Sequence, residues 1–96
     1  MPTTYIITDE RHDERMGEFS EFAAAVVELE RLKNVPWDAA PNQAPCQNWR
    51  ECGRLYEIVE YDTSERPWKE VRRLPALEIS RTVVQWLDDL PRRNDA

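Results

Sequence analysis

Cys46, Cys52 and His12 are the residues best suited to metal or thiol chemistry. The cysteines form a single C-x5-C pair, and His12 is the only histidine in the chain. A structural zinc site needs four ligands, usually in two closely spaced pairs, so these residues would need an acid as the fourth ligand. The pattern assigns no metal ligand and no cofactor. A metal or thiol-redox protein that uses Cys46, Cys52 and His12 is kept as an alternative function.

The spacing of Cys46 and Cys52 leaves a disulfide between them open. If residues 45–52 form a helical turn, a rise of ~1.5 Å per residue separates the two Cα atoms by about 9 Å, beyond the ~7 Å limit for a bridge. In an irregular loop the bridge is possible. The N-terminal residues lack the basic region and apolar run of a secretory signal. We therefore expect reduced thiols that serve as packing residues.

The serines and glycines indicate no catalytic or phosphate-binding arrangement. Ser20 and Ser80 stand where helices are expected to begin, Ser64 lies in a turn, and none belongs to a G-x-S-x-G motif. Two glycines leave no G-x-G-x-x-G motif and no P-loop. We therefore predict no catalytic residues and a protein that is not an enzyme.

An acidic segment in the first third of the chain is the main candidate for partner binding. Thirteen basic and nineteen acidic residues give a net charge of −6, which disfavours direct contact with nucleic acid. The clustered acids could form a face for a basic protein, and loop tryptophans could add binding energy because they bury a large rigid area. The predicted partner-binding residues are Asp9, Glu10, Asp13, Glu14, Glu18, Glu21, Trp37 and Trp49.

These features predict a small acidic interaction protein, an inhibitor or adaptor that docks an acidic face on a basic partner such as a nucleic-acid-binding protein. In size and acidity the chain resembles phage-encoded anti-CRISPR and other anti-restriction proteins, although no residue motif is shared. A structural homodimer that uses a sheet edge or the tryptophan-bearing loop is a further alternative. No apolar run reaches the ~18 residues of a membrane span, so we expect a cytoplasmic protein without a membrane partner.

The elements that must position these residues follow the order β(β)αββα. We predict a single α+β domain over residues 1–91, with helices packed on one face of a 3–4-stranded sheet, and a frayed tail at 92–96. The predicted elements are strands at 3–8 and 18–19, a helix at 20–33, a strand at 54–62, an interrupted strand at 68–79 and a helix at 81–90.

Caps and prolines set the expected boundaries of these elements. Ser20 and Ser80 are expected N-caps of the two helices. Asn34 is expected to end the first helix, whose apolar residues recur at helical spacing. Pro75 cannot donate to a sheet ladder, so the strand at 68–79 is expected to lie at an edge or to contain a bulge.

Overall fold

One antiparallel sheet with a helix on one face makes up the described part of the chain. The computed structural model describes residues 2–46 and 52–87. Its elements are β1 (Thr3–Asp9), β2 (Glu14–Phe19), α1 (Phe22–Lys33), β3 (Gly53–Asp62), β4 (Lys69–Ser80) and β5 (Val84–Trp86). The strands lie in the order β2-β1-β3-β4-β5, and every neighbouring pair is antiparallel. None of the described helical residues forms a helix long and apolar enough to cross a membrane.

The predicted architecture of several helices on a 3–4-stranded sheet is wrong. The sheet has five strands, and the described ranges contain a single α-helix. The order β(β)αββα fails at its last element, because β5 lies where a second helix was expected. The division into a domain at 1–91 and a tail at 92–96 stays a prediction, and the tail lies outside the described residues.

Ser80 closes a tight turn in place of the expected helix cap. Its backbone N–H donates to the Val83 carbonyl at 2.7 Å. Its hydroxyl accepts bonds from the N–H groups of Thr82 and Val83 at 3.4 and 3.2 Å. A serine hydroxyl can support either a helix start or a turn, and here it stabilises a hairpin from which the chain returns as β5. The predicted helix at 81–90 is therefore wrong up to residue 87, and its last residues lie outside the described part.

Helix α1 begins later than expected and ends where expected. Glu21, in extended backbone with φ −134° and ψ 143°, takes the N-cap position without a side-chain capping bond. The N-cap predicted at Ser20 is therefore wrong. Asn34 is the C-cap residue, and its backbone N–H donates to the Arg31 carbonyl at 3.1 Å, which confirms the predicted end.

Strand β4 is interrupted, as predicted from Pro75. Along its pairing with β3, Tyr56 faces Leu77 while Glu57 faces Pro75, so Ala76 is an extra residue on β4. A bulge interrupts the regular hydrogen-bond ladder, so the strand tolerates a proline that has no N–H to donate. The other strand predictions agree with the structure, except that the short strand at 18–19 begins earlier, as β2 at Glu14.

The core lies between α1 and the sheet. Its buried residues are Ala25, Val26, Leu29 and Leu32 from the helix and Ile7, Tyr56, Ile58, Ala76, Leu77 and Ile79 from the strands. Full burial of one such large side chain contributes roughly 1.5–3 kcal/mol. The predicted apolar stripe of α1 is therefore confirmed. On the other face of the sheet, Ile6 and Val59 pair in register and are each 1% exposed.

Candidate functional site

The turn between β1 and β2 presents His12, and the buried carboxylate of Asp9 holds it. Asp9 Oδ1 accepts hydrogen bonds from the backbone N–H groups of Arg11 at 3.0 Å and Leu55 at 3.1 Å. Its Oδ2 accepts a bond from His12 Nδ1 at 2.6 Å and one from Arg54 at 2.9 Å. Because a carboxylate is an acceptor, Nδ1 carries the ring hydrogen in this contact. The Nε2 atom of His12 is then the ring nitrogen left for a second partner.

Arg54 joins this turn to β2 and to the segment that precedes β3. Its Nη1 donates to Asp9 and Glu14, and its Nη2 donates to the backbone carbonyl of Gln43 at 3.0 Å. Burial lowers the pKa of Arg54, but the bonds to Glu14 and Asp9 outweigh that effect and raise the pKa overall. The guanidinium therefore stays charged and holds these segments together.

Asn42 anchors the segment that carries Cys46, here named the proline loop (residues 34–46). The Asn42 side chain is 2% exposed. Its Nδ2 donates to the carbonyls of Leu32 at 2.8 Å and Val35 at 2.9 Å. Its Oδ1 accepts the hydroxyl of Tyr56 at 2.7 Å, and burial raises the pKa of that tyrosine to about 12. These bonds satisfy the buried amide and fix the proline loop against the end of α1.

Gly53 brings the start of β3 close to the end of β4. A Cβ atom at this position would lie 2.8 Å from the Ile79 carbonyl oxygen and 2.8 Å from Ser80 Cβ. Arg11 Nη1 would lie 3.0 Å away. Glycine is therefore required here for close packing, and Cys52 precedes it directly in the chain.

Cys46 and Cys52 form a disulfide, and His12 lies beside it. The Cα atoms are 7.1 Å apart and the sulfurs are bonded. The expectation of two reduced packing cysteines is therefore wrong. The helical turn predicted at 45–52 lies mostly outside the described residues. One ring nitrogen of His12 and the two sulfurs all lie within 4.8 Å of one another, and all three residues are half-buried.

An open cleft of about 490 Å³ adjoins this group. Arg11 and Glu78, both on its wall, form an ion pair at 3.0 Å, so the charge of Arg11 is balanced locally. The residues that line the cleft are Arg11, His12, Cys52, Gly53, Glu78 and Ser80. A small molecule that enters the cleft therefore meets Cys52 and His12.

The predicted acidic face is divided by the fold. Asp9 is fully buried and so offers no surface to a partner, while Glu14 is held by Arg54. Glu10 and Asp13 are exposed on the β1–β2 turn. The other two acids, Glu18 and Glu21, are exposed at the opposite end of β2, and Trp37 is half-buried against the core. The predicted binding residue Trp49 lies outside the described residues.

Several residues that shape the site were not singled out from the sequence. Arg54 begins a strand with apolar residues on both faces. A charge in such a strand is expected to be buried and therefore to need a buried acidic partner, and this requirement could have been used as a signal. Asn42 and Gln43 lie between prolines, a context that gives no such signal. Gly53 directly follows a cysteine, and only the approach of β4 reveals why a side chain is excluded there.

The chain was also compared with known proteins. No protein-family model matches it, and no match was found among the curated proteins or the solved structures. The geometry of the site therefore carries the functional argument alone.

Proposed function

We propose that this protein acts through reversible opening of the Cys46–Cys52 disulfide, with His12 as the neighbouring proton carrier. The observation that carries the proposal is the meeting of the His12 ring and the two sulfurs within 4.8 Å at an open cleft. The three residues come from the β1–β2 turn, the proline loop and the residue before β3. Their approach depends on the tertiary fold.

Thiol–disulfide exchange with a dithiol is the reaction that this group supports. A thiolate of the dithiol attacks one sulfur, the S–S bond breaks, and the other sulfur leaves as a thiolate. The second thiol of the reductant then attacks the mixed disulfide and is itself oxidised to a disulfide. Two electrons and two protons pass to Cys46 and Cys52. One ring nitrogen of His12 lies within 4.8 Å of both sulfurs, so the protonated imidazole can pass a proton to the leaving thiolate through one bridging water.

The proline loop has anchors that do not depend on the disulfide. Asn42 bonds to two carbonyls and to Tyr56, and the Gln43 carbonyl accepts Arg54. We therefore expect Cys46 to stay near Cys52 and His12 after reduction. The disulfide can form again because the two thiols stay close to each other.

Thiol titration of the folded protein tests this proposal. We expect no free thiol in the oxidised chain and two after treatment with dithiothreitol, with the circular dichroism spectrum unchanged. Removal of the reductant in the presence of a small-molecule disulfide should restore the bond. His12→Gln should slow reduction by about 100-fold or more, while Glu65→Gln, an exposed control in the β3–β4 connection, should not. A bond that opens only when the chain unfolds would make the disulfide a structural cross-link and contradict the proposal.

A second candidate function is docking of an acidic surface on a basic protein, as an inhibitor or adaptor. The observation that favours it is the exposure of Glu10 and Asp13 on a turn whose backbone Asp9 fixes. Because the backbone of the turn is already fixed, the two carboxylates lose less conformational freedom when they meet a cationic surface. A nucleic-acid-binding protein is one partner class with such a surface.

Binding at two salt concentrations tests the docking candidate. We expect a partner from the native host extract to be retained at low salt and lost at high salt. The double variant Glu10→Lys, Asp13→Lys should abolish retention. The matched variant Glu30→Lys, Glu65→Lys changes the net charge equally at exposed positions elsewhere and should retain the partner. Equal loss in both variants would show a dependence on net charge alone and remove the turn from the interface.

A further inference from the structure

We propose that the reduced form of this protein binds a zinc ion through Cys46 Sγ, Cys52 Sγ and His12 Nε2. The inference rests on the proposed function, since the disulfide must open before either sulfur can act as a ligand. It adds a ligand class to the site, because a thiol–disulfide pair has no need of a metal.

The three ligand residues lie close enough to reach one tetrahedral ion after the disulfide opens. Zinc binds sulfur at about 2.3 Å and histidine nitrogen at about 2.0–2.1 Å, so neighbouring ligands of one ion lie roughly 3.3–3.8 Å apart. One ring nitrogen of His12 and the two sulfurs already lie within 4.8 Å of one another. Once the S–S bond is broken, the sulfurs must separate, and an ion between them would hold them at the required distance.

Asp9 already orients His12 as a carboxylate orients a metal-binding histidine. In zinc sites the second ring nitrogen commonly donates to a carboxylate, which fixes the tautomer and makes the first nitrogen a better ligand. Asp9 accepts His12 Nδ1 at 2.6 Å, and it is itself fixed by Arg54 and two backbone N–H groups. The site thus contains a carboxylate that orients the histidine ligand, as well as the three ligands themselves.

The donor set and the cleft favour zinc over harder cations. Two thiolates and one imidazole suit a borderline-soft ion, whereas Mg²⁺ and Ca²⁺ prefer oxygen ligands. The adjoining cleft has room for a water or a small ligand in the fourth coordination position. Arg11 on the cleft wall is paired with Glu78 at 3.0 Å, and the two thiolates outweigh its remaining charge.

Binding and release are coupled to the redox state. The zinc ion replaces the proton of each thiol, so two protons are released when the reduced chain takes up the ion. A small-molecule disulfide then takes two electrons from the thiolates and two protons from solution, and it becomes two thiols. The S–S bond re-forms and the ion leaves. Oxidation therefore acts as the release step.

Zinc titration of the intact protein tests the inference. The chain is reduced under anaerobic conditions, freed of metal and titrated with Zn²⁺ against a chromophoric chelator. Its free thiols are counted in the same samples. Titration with Co²⁺ adds a spectroscopic readout, because thiolate ligands give an intense charge-transfer band. The oxidised wild-type protein is the matched control, since it has the same residues and fold.

We expect one zinc ion per reduced chain, with affinity at least 100-fold weaker in the oxidised chain and in Cys46→Ser, Cys52→Ser. His12→Gln should weaken binding at least 10-fold while both thiols remain titratable, and Glu65→Gln should leave it unchanged. If two thiols titrate but zinc binds no tighter than to the double serine variant, the zinc site is overturned and the proposed thiol function stands. If the thiols never become free in the folded chain, both proposals fail. Half an ion per chain in a sedimenting dimer would overturn the single-chain site.

Discussion

Two arginines of the sheet each donate to two carboxylates, yet they differ in burial and in what they connect. The two groups are Arg54 with Asp9 and Glu14, and Arg73 with Glu57 and Glu70. The Arg54 side chain is 5% exposed and that of Arg73 is 41% exposed. Similar ion pairs are therefore expected to contribute differently, because solvent screens the outer group more strongly than the buried Arg54–Asp9 pair.

The two groups also differ in the segments that they connect. Arg54 links the end of β1, the start of β2 and the proline loop to β3. Arg73 donates to Glu70 on its own strand and to Glu57 on the neighbouring β3. The comparison indicates that the buried group positions the cysteine–histidine site, whereas the outer group covers the sheet face opposite α1.

The largest expected effect comes from Arg54→Met. It removes the guanidinium partner of Asp9, whose side chain is 0% exposed, and leaves that carboxylate with His12 and two backbone N–H donors. It also frees the Gln43 carbonyl. Breaking a buried pair from one side costs about 3–5 kcal/mol, so the free energy of unfolding in urea should fall by that amount. The rate of reduction of the disulfide should change as well, because the proline loop loses an anchor. A loss no larger than that in Arg73→Met would contradict the comparison.

High pH gives a second test of the buried group, through Tyr56 beside Arg54. Burial raises the pKa of Tyr56 from the ordinary value of about 10 to about 12 in the folded protein. Below pH 10 the tyrosine is protonated in both states, and its full contribution to the free energy of unfolding is present. The unfolded chain loses this proton first as pH rises, and stability should fall by up to about 3 kcal/mol between pH 10 and 12. Urea unfolding from about pH 9 to about pH 12 measures this loss. Tyr56→Phe should show a shallower fall, and an equal slope in both proteins would exclude Tyr56 as the source.

A smaller effect is expected from Arg73→Met. Glu57 loses its partner, and its side chain is 5% exposed, so part of the cost of an unpaired buried charge applies. Solvent near the half-exposed guanidinium reduces that cost. We expect a loss of about 1–2 kcal/mol in urea unfolding, with the rate of thiol–disulfide exchange unchanged. A slower or faster exchange would show that the outer group also acts on the site.

The smallest effect is expected at Arg31, which pairs with Glu28 three residues earlier on α1. The Arg31 side chain is 59% exposed, so salt and water screen the pair. Arg31→Met should leave the midpoint of urea unfolding unchanged within error, at low and at high salt. A shift comparable to that of Arg73→Met would mean that burial is a poor guide to these pairs.

The elements with strong local signals could be predicted from the sequence, and those set by tertiary pairing could not. Helix α1 and strands β1 and β3 have long apolar patterns, and Pro75 indicates a bulge by its missing N–H. Ser80 is compatible with a cap and with a turn, and the choice depends on whether β5 can pair with β4. Local spacing could not distinguish these outcomes.

The residues of the candidate site were kept from the sequence only as an alternative function, and their arrangement was not predicted. Cys46, Cys52 and His12 are the obvious reactive residues, yet their distance depends on how β1 and β3 align. Asp9 faces Tyr56 in that register, which brings the β1–β2 turn next to the start of β3. Asp9 itself was predicted as a surface acid, because a run of acids gives no sign of which one is buried.

Gly53 gives a signature by which a protein with the same site could be recognised. A side chain at position 53 would collide with β4, so either β4 or β3 would have to move. A shift of β3 would displace Cys52, which precedes Gly53, and Arg54, which follows it. A protein that keeps this geometry therefore needs the consecutive run Cys52, Gly53, Arg54, together with an aspartate placed three residues before a histidine, as Asp9 is before His12. Such a pattern can be searched for in chains with no overall similarity to this one. A chain that contains it, with a second cysteine six residues before the first as Cys46 is before Cys52, is a candidate for the same site before its fold is known.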